Sequence, residues 1–296
     1  MRLIRDIYAE GATSKRPVVS FEFFTPKTDE GEATFFTRVL PALAKLEPDY
    51  CSVTYGAGGS TREKTLGMVE RIQRDFGFPT MAHLTCVGAA QEDLRNVLAE
   101  AKARGICNIL ALRGDPPKGA AGFTQTEGGL RYAYELVHLT RQTDGFSIGV
   151  AGFPEGHIEC KEGRLVDWER LKAKIDCGAD FVITQLFFDN RFFFELRDHL
   201  TQRLGVKVPI VPGVIPITSA GQIKKFSALS GATMPQPLLA RLDALGDNDE
   251  AVTEFGIAHA SDQCAELLRQ GAPGIHFYTL NRSHAPTEIM RNLGLS

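Results

Sequence analysis

The strongest constraint on the fold of this chain is an alternation that repeats eight times along it. A short β-branched or apolar run is followed by polar punctuation and then by an amphipathic stretch. The runs lie at 18–23, 50–54, 80–85, 108–112, 147–152, 181–185, 208–214 and 274–278. Each is long enough for a strand buried on both faces and too short for a typical helix. Helical patterns occupy the intervals near 31–44, 61–75, 91–103, 130–142, 167–177 and 191–203. Further ones lie near 219–229, 236–245, 249–270 and 286–293. Ser60 or Thr61 is a suitable N-cap, and Gly105 a stop. Alternation without a composition break predicts an α/β fold, a (β/α)8 TIM barrel with extra helices, as one domain over residues 1–296. An open doubly wound sheet with a second lobe is the alternative. Pro209 and Pro212 weaken the expected pairing of the seventh run.

Composition narrows the partners. Lys and Arg number 33 against 36 Asp and Glu, a formal charge of -3, which offers no attraction to nucleic acid or an anionic membrane. The six cysteines form no C-x-x-C pair, so reduced thiols are expected rather than a metal site or disulfide framework. The first residues lack the apolar core of a signal peptide, and no apolar run is of membrane-spanning length. A soluble, cytoplasmic protein is expected.

Polar residues stand where buried strands should end: Glu22, Thr54 with Tyr55, His83, Arg113 with Asp115, Gln185, and the segment 278–282. In a barrel all would converge on the C-terminal face, where such folds keep their sites. Pro116 and Pro117 stop the fourth run in any ladder, so Arg113 and Asp115 are presented at its end. Glu22 lies among Phe21, Phe23 and Phe24. Unpaired there, its carboxyl would be desolvated and its pKa raised. Two readings stay open: a carboxylate satisfied by an arginine or backbone donors, or a general acid. His83 suits a satisfied core residue as well as a ligand contact, and Gln185 needs partners an apolar barrel cannot offer. The turn from Gly56 to Ser60 invites a dinucleotide fingerprint, but Thr61 occupies the third glycine position.

Several stretches together resemble the methylenetetrahydrofolate reductases: 19–24, 52–57, 82–86, 111–115, 183–185 with 187–189, and 276–282. Their order and span are the family's, and the length is that of its single-barrel bacterial form. The resemblance implies a (β/α)8 barrel with non-covalent FAD. It implies hydride transfer from NADH or NADPH through FAD, in ping-pong order, to 5,10-methylenetetrahydrofolate. The product, 5-methyltetrahydrofolate, would supply methyl groups for methionine synthesis. It makes Glu22 the acid that opens the folate's five-membered ring and Asp115 the charge between flavin and pterin. Gln185, Gln222, Phe226, Arg282 and Thr54 become substrate-side residues. Thr54, Tyr55, Ala57, His83, Arg113, Gly114, Asp115, Ala133, Phe153, His157, Asp167 and Lys174 become cofactor-side residues. No metal is implied, and an oligomer of identical chains is expected. Phe153 departs from a branch that carries tyrosine there, Thr25 from the usual proline, and Arg170 and Ala173 differ in the helix expected along the diphosphate. A pterin-binding methyltransferase barrel and a non-catalytic folate-binding subunit are the competing readings.

Overall fold

A computed structural model describes residues 1–55, 62–115 and 122–296. The expected turn at 56–60, with Ala57, and the stop at Pro116 and Pro117 lie outside the described residues. Among the described residues, nine parallel strands form one sheet: β1 Val18–Phe23, β2 Tyr50–Val53, β3 Thr80–Thr85, β4 Asn108–Leu112, β5 Ser147–Gly152, β6 Phe181–Thr184, β7 Ile210–Val211, β8 Gly213–Val214 and β9 Gly274–Tyr278. Their order is β7-β6-β5-β4-β3-β2-β1-β9-β8. The order follows the chain without the reversal a doubly wound sheet requires. β7 and β8 are halves of the seventh run, parted by Pro212; one pairs with β6 and the other with β9. The ring is thus joined through a single broken run, and eight runs make a (β/α)8 barrel.

The prolines of that run remove donors but keep acceptors. Val182 N–H donates to Pro209 O at 2.9 Å, and His276 N–H to Pro212 O at 3.0 Å. Gly213 is obligatory here, because a Cβ would fall 2.2 Å from Thr184 O and 2.6 Å from the Tyr278 hydroxyl. Tyr278 crosses over it, donating its hydroxyl to Thr184 O at 2.6 Å and tying β9 to β6.

Period-two alternation divides the strands into an inner and an outer face. Val18, Tyr50, Met81, Leu110, Phe181, Ile183 and Val211 form an inner core together with Ile4, Ile7 and Tyr8 of helix α1, Ile4–Ser14. The sequence reading did not foresee α1, which covers the N-terminal mouth of the barrel. Ile4 N–H donates to Asn108 Oδ1 at 2.8 Å, and Asn108 Nδ2 donates to Arg2 O at 3.1 Å. Arg5 N–H donates to Ser147 Oγ at 3.1 Å, and the Tyr8 and Tyr50 hydroxyls lie 2.9 Å apart. Opening donors of the helix are therefore satisfied by the first residues of β4 and β5.

The outer faces pack against the surrounding helices in one large core. The helix expected near 31–44 is broken into Asp29–Thr34, a wide π-helical turn Phe35–Val39, and Leu40–Ala44. Leu40 N–H reaches back to Phe35 O, and Pro41, next in line, has no N–H to keep the tighter spacing. The extra helices Ala220–Ser230 and Gln236–Leu245, with the start of Asp249–Arg269, enclose a separate cluster of Leu186, Phe188, Ile215, Ile217, Ile223 and Leu242. Leu186 and Ile215 lie just past the ends of β6 and β8, so this cluster raises a wall at the C-terminal mouth. No helix among the described residues is long and apolar enough to cross a membrane.

Candidate active site

The barrel's inner face turns from apolar to polar toward the strand C-termini. Glu22, near the end of β1, is 9 % exposed. Its Oε2 lies 3.3 Å from His276 Nε2 on β9 and 3.4 Å from His83 Nε2 on β3. His276 Nδ1 shares a 2.7 Å hydrogen bond with Ser20 Oγ. Strand register explains the grouping: Ser20 pairs with His276 across β1 and β9, and Glu22 lies two residues on, facing inward again. The Glu22 carbonyl accepts from Thr279 Oγ1 at 2.6 Å, which fixes the strand end.

These partners are not the arginine or backbone donors expected of a satisfied carboxylate. Among the described residues, Glu22 faces imidazoles, not an arginine. Burial pushes its carboxyl up, but the charge of His83 and the hydrogen bond and charge of His276 more than offset it. The pKa ends below the ordinary carboxylate value, not above it. Burial drives His83 down to about 4, with Glu22 pulling it back only in part. Near neutral pH, then, His83 is an uncharged ring beside a carboxylate. Ser52 Oγ, His83 Nε2 and Thr85 Oγ1 are buried without a well-aligned partner. Such a row of unmet polar atoms suits a ligand that brings its own donors and acceptors.

A second cluster lies across β4 and β5. Arg113 forks onto Glu159, Nη1 to Oε2 at 2.5 Å and Nη2 to Oε1 at 3.0 Å. Gly114 has φ +86°, and a Cβ there would come 2.6 Å from Val87 and 2.9 Å from Thr85 Cβ. Only glycine fits, which leaves bare backbone at the rim. Asp115 follows, exposed. Its charge acts on Arg113, and no described contact joins it to Glu22. His157 Nδ1 accepts from Glu159 N–H at 3.1 Å, and Phe153 packs edge-on against the His157 ring at 4.6 Å. The Phe153 carbonyl accepts from Trp168 Nε1 at 2.9 Å. In helix Arg164–Asp176, Lys174 Nζ donates to Ala151 O at 2.6 Å. Burial takes Lys174 down to about 8, with Asp167 opposing, and it raises the Asp167 carboxyl.

The remaining expected residues ring the same mouth. Thr54 O accepts from Thr65 Oγ1 at 3.1 Å, and Tyr55 OH accepts from Arg62 Nε at 2.9 Å. Gln185 gives its amide oxygen to Leu186 N–H at 2.8 Å, leaving the NH2 end for a ligand. Ala133 begins helix Ala133–Gln142 beside the exposed, stacked rings of Tyr132 and Tyr134. Gln222 and Phe226 lie half-buried on helix Ala220–Ser230. Arg282 Nη1 donates to Thr218 Oγ1 at 3.2 Å, just before that helix. Sequence reasoning named no role for Ser20, His276 or Glu159. Register counted from Glu22 would have reached the first two; for Glu159 there was no signal.

Fold and rim together define a (β/α)8 barrel that carries a buried carboxylate–imidazole cluster toward the C-terminal ends of its strands. The chain belongs to the methylenetetrahydrofolate reductase family, whose model matches residues 6–294. It is 36 % identical to 5,10-methylenetetrahydrofolate reductase of Escherichia coli K12 over 94 % of this chain and 90 % of that one. It is 38 % identical to methylenetetrahydrofolate reductase (NADH) 1 of Arabidopsis thaliana over 99 % of its length. The chain spans about half the length of such plant relatives, 50 % in that case. Among solved structures, a Clostridium thermocellum protein described as binding two copies of 5-methyl-5,6,7,8-tetrahydrofolic acid superposes with TM-score 0.64. It covers 97 % of both chains at 14 % identity, a likeness of fold.

Proposed function

We propose that this protein reduces 5,10-methylenetetrahydrofolate to 5-methyltetrahydrofolate, with NADH or NADPH as hydride donor and non-covalent FAD as carrier. The observation that carries the reading is Glu22, a carboxylate held between two imidazoles at the inner rim of the barrel. The residues present fit FAD: a bare backbone at Gly114, cations at Arg113 and Lys174, acceptors at Asp167, and buried unmet atoms at His83 and Thr85. When bound, FAD would take a hydride from the nicotinamide and give it to the folate's one-carbon bridge.

In this reading Thr54, Tyr55, Ala57, His83, Arg113, Gly114, Asp115, Ala133, Phe153, His157, Asp167 and Lys174 hold the cofactor. Gln185, Gln222, Phe226, Arg282 and Thr54 hold the substrates, with Phe226 stacking on an aromatic ring. Glu22 protonates the N10 nitrogen that leaves the bridge, opening the five-membered ring to an iminium ion. A pterin laid over the rim excludes water, which raises the cost of the Glu22 charge and draws a proton onto it. His276, hydrogen-bonded on both sides, holds the Glu22 carboxyl in place for that step. Asp115 supplies negative charge toward the cationic intermediate. The reading includes a cytoplasmic location and an oligomer of identical chains.

The test is anaerobic stopped-flow of the purified protein with NADH, NADPH and folate separately. Glu22→Gln is expected to slow folate reduction by about 10²–10⁴-fold while flavin reduction by the nicotinamide stays within about twofold. Equal loss of both half-reactions would remove the acid role. A protein that binds no flavin would remove the reading.

A further inference from the structure

We propose that Glu159 is the counter-ion which the cofactor's diphosphate displaces from Arg113, and that it thereby sets how tightly the cofactor is held. The inference rests on the FAD reading of the site and concerns a residue outside it. Arg113 closes β4 and offers its two terminal nitrogens side by side, the arrangement that takes a pair of phosphate oxygens. Both are engaged by Glu159 at 2.5 and 3.0 Å. The carboxylate stands where an anion bound to that fork would stand.

Charge balance points the same way. The cations of the cluster are Arg113, Lys161, Lys174 and Arg170; Glu159, Asp167, Asp115 and the Glu162 carboxylate bonded to Arg170 oppose them, and His157 is driven toward its neutral form by burial. A dianion entering this cluster meets no surplus of positive charge unless a carboxylate withdraws. Asp167 is half-buried on helix Arg164–Asp176 and stays with it. The Glu159 side chain is 49 % exposed, against 21 % for Arg113, so it can turn into water while the guanidinium remains. An ion pair with one partner so exposed is weak and easily exchanged. The Glu159 main chain need not move, since its N–H rests on His157 Nδ1.

Flavin-stripped protein titrated with FAD, read by flavin fluorescence, tests this directly. E159Q is expected to bind FAD about fivefold tighter than the unaltered chain, with the gap narrowing as salt rises. Riboflavin, which has no phosphate, is expected to bind both proteins alike. Equal or weaker FAD binding by E159Q would overturn the proposal and make Glu159 a support that holds Arg113 in place. The same gain for riboflavin would also overturn it, since the effect would not arise at the diphosphate. If neither protein binds FAD while both melt as folded proteins, the FAD reading itself fails, and this inference with it.

Discussion

At the scale of single residues, the imidazole of His83 makes the molecule sensitive to acid. Its pKa is about 4 in the folded protein against an ordinary 6.5, so between those values the unfolded chain binds the proton and the folded one does not. Stability contributed by the neutral ring is complete above about pH 6.5 and is lost as pH falls toward 4, a total on the order of 3 kcal/mol. Glu22, with its folded pKa lowered, loses stability in the same direction below the ordinary carboxylate range. Urea unfolding at a series of pH values should show a steep decline on acidification that His83→Gln flattens. Ser20→Ala would strip His276 Nδ1 of its 2.7 Å partner in a dry interior, at a cost of about 1–3 kcal/mol. On the proposed function, it should also shift the pH profile of folate reduction while leaving flavin reduction by NAD(P)H in place.

The elements carry these residues to the site by means that were unequally legible in the sequence. Glu22 was conspicuous because a carboxylate among phenylalanines has to be compensated. Its partners were hidden, since His276 comes from a run some 250 positions away and only pairing of the first and last strands joins them. The eight runs were legible through their length and apolar character. The π turn at Phe35–Val39 was not, because it preserves the apolar pattern while changing the hydrogen-bond spacing. α1 is faint in the sequence: Ile4, Ile7, Tyr8 and Gly11 fall on one helical face, but four such positions in a short stretch make a weak periodic signal. The turn after β9 was marked as polar, but its geometry was not. Leu280 and Asn281 have φ of +52° and +55°, unusual for side-chain-bearing residues. The Asn281 side chain restrains that turn as a strand neighbour would: Oδ1 accepts from Phe24 N–H at 2.8 Å and Nδ2 donates to Phe24 O at 2.9 Å. Asn281→Ala is expected to cost about 2 kcal/mol in urea unfolding. Because Arg282 follows at once, it should raise the folate KM more than it lowers kcat.

For the whole molecule, the decisive asymmetry is between the two mouths of the barrel. Satellite helices and strand-end side chains build up one of them; α1 closes the other, held by Asn108 and Ser147 and packed on Tyr50 and Phe181. Asn108→Ala would leave Ile4 N–H and Arg2 O without their partner and should destabilise the fold by about 2 kcal/mol. Hydrogen exchange would register the change first in residues 4–14, with the strands protected until global unfolding. The same closed end has a consequence for traffic. The barrel is a cul-de-sac: its floor is filled by Met81, Leu110 and Phe181, and nothing can be threaded through it from below. Whatever reaches the rim must back out by the door it entered. Two reactants that need the place beside Glu22, as the proposed function has it, would take turns there.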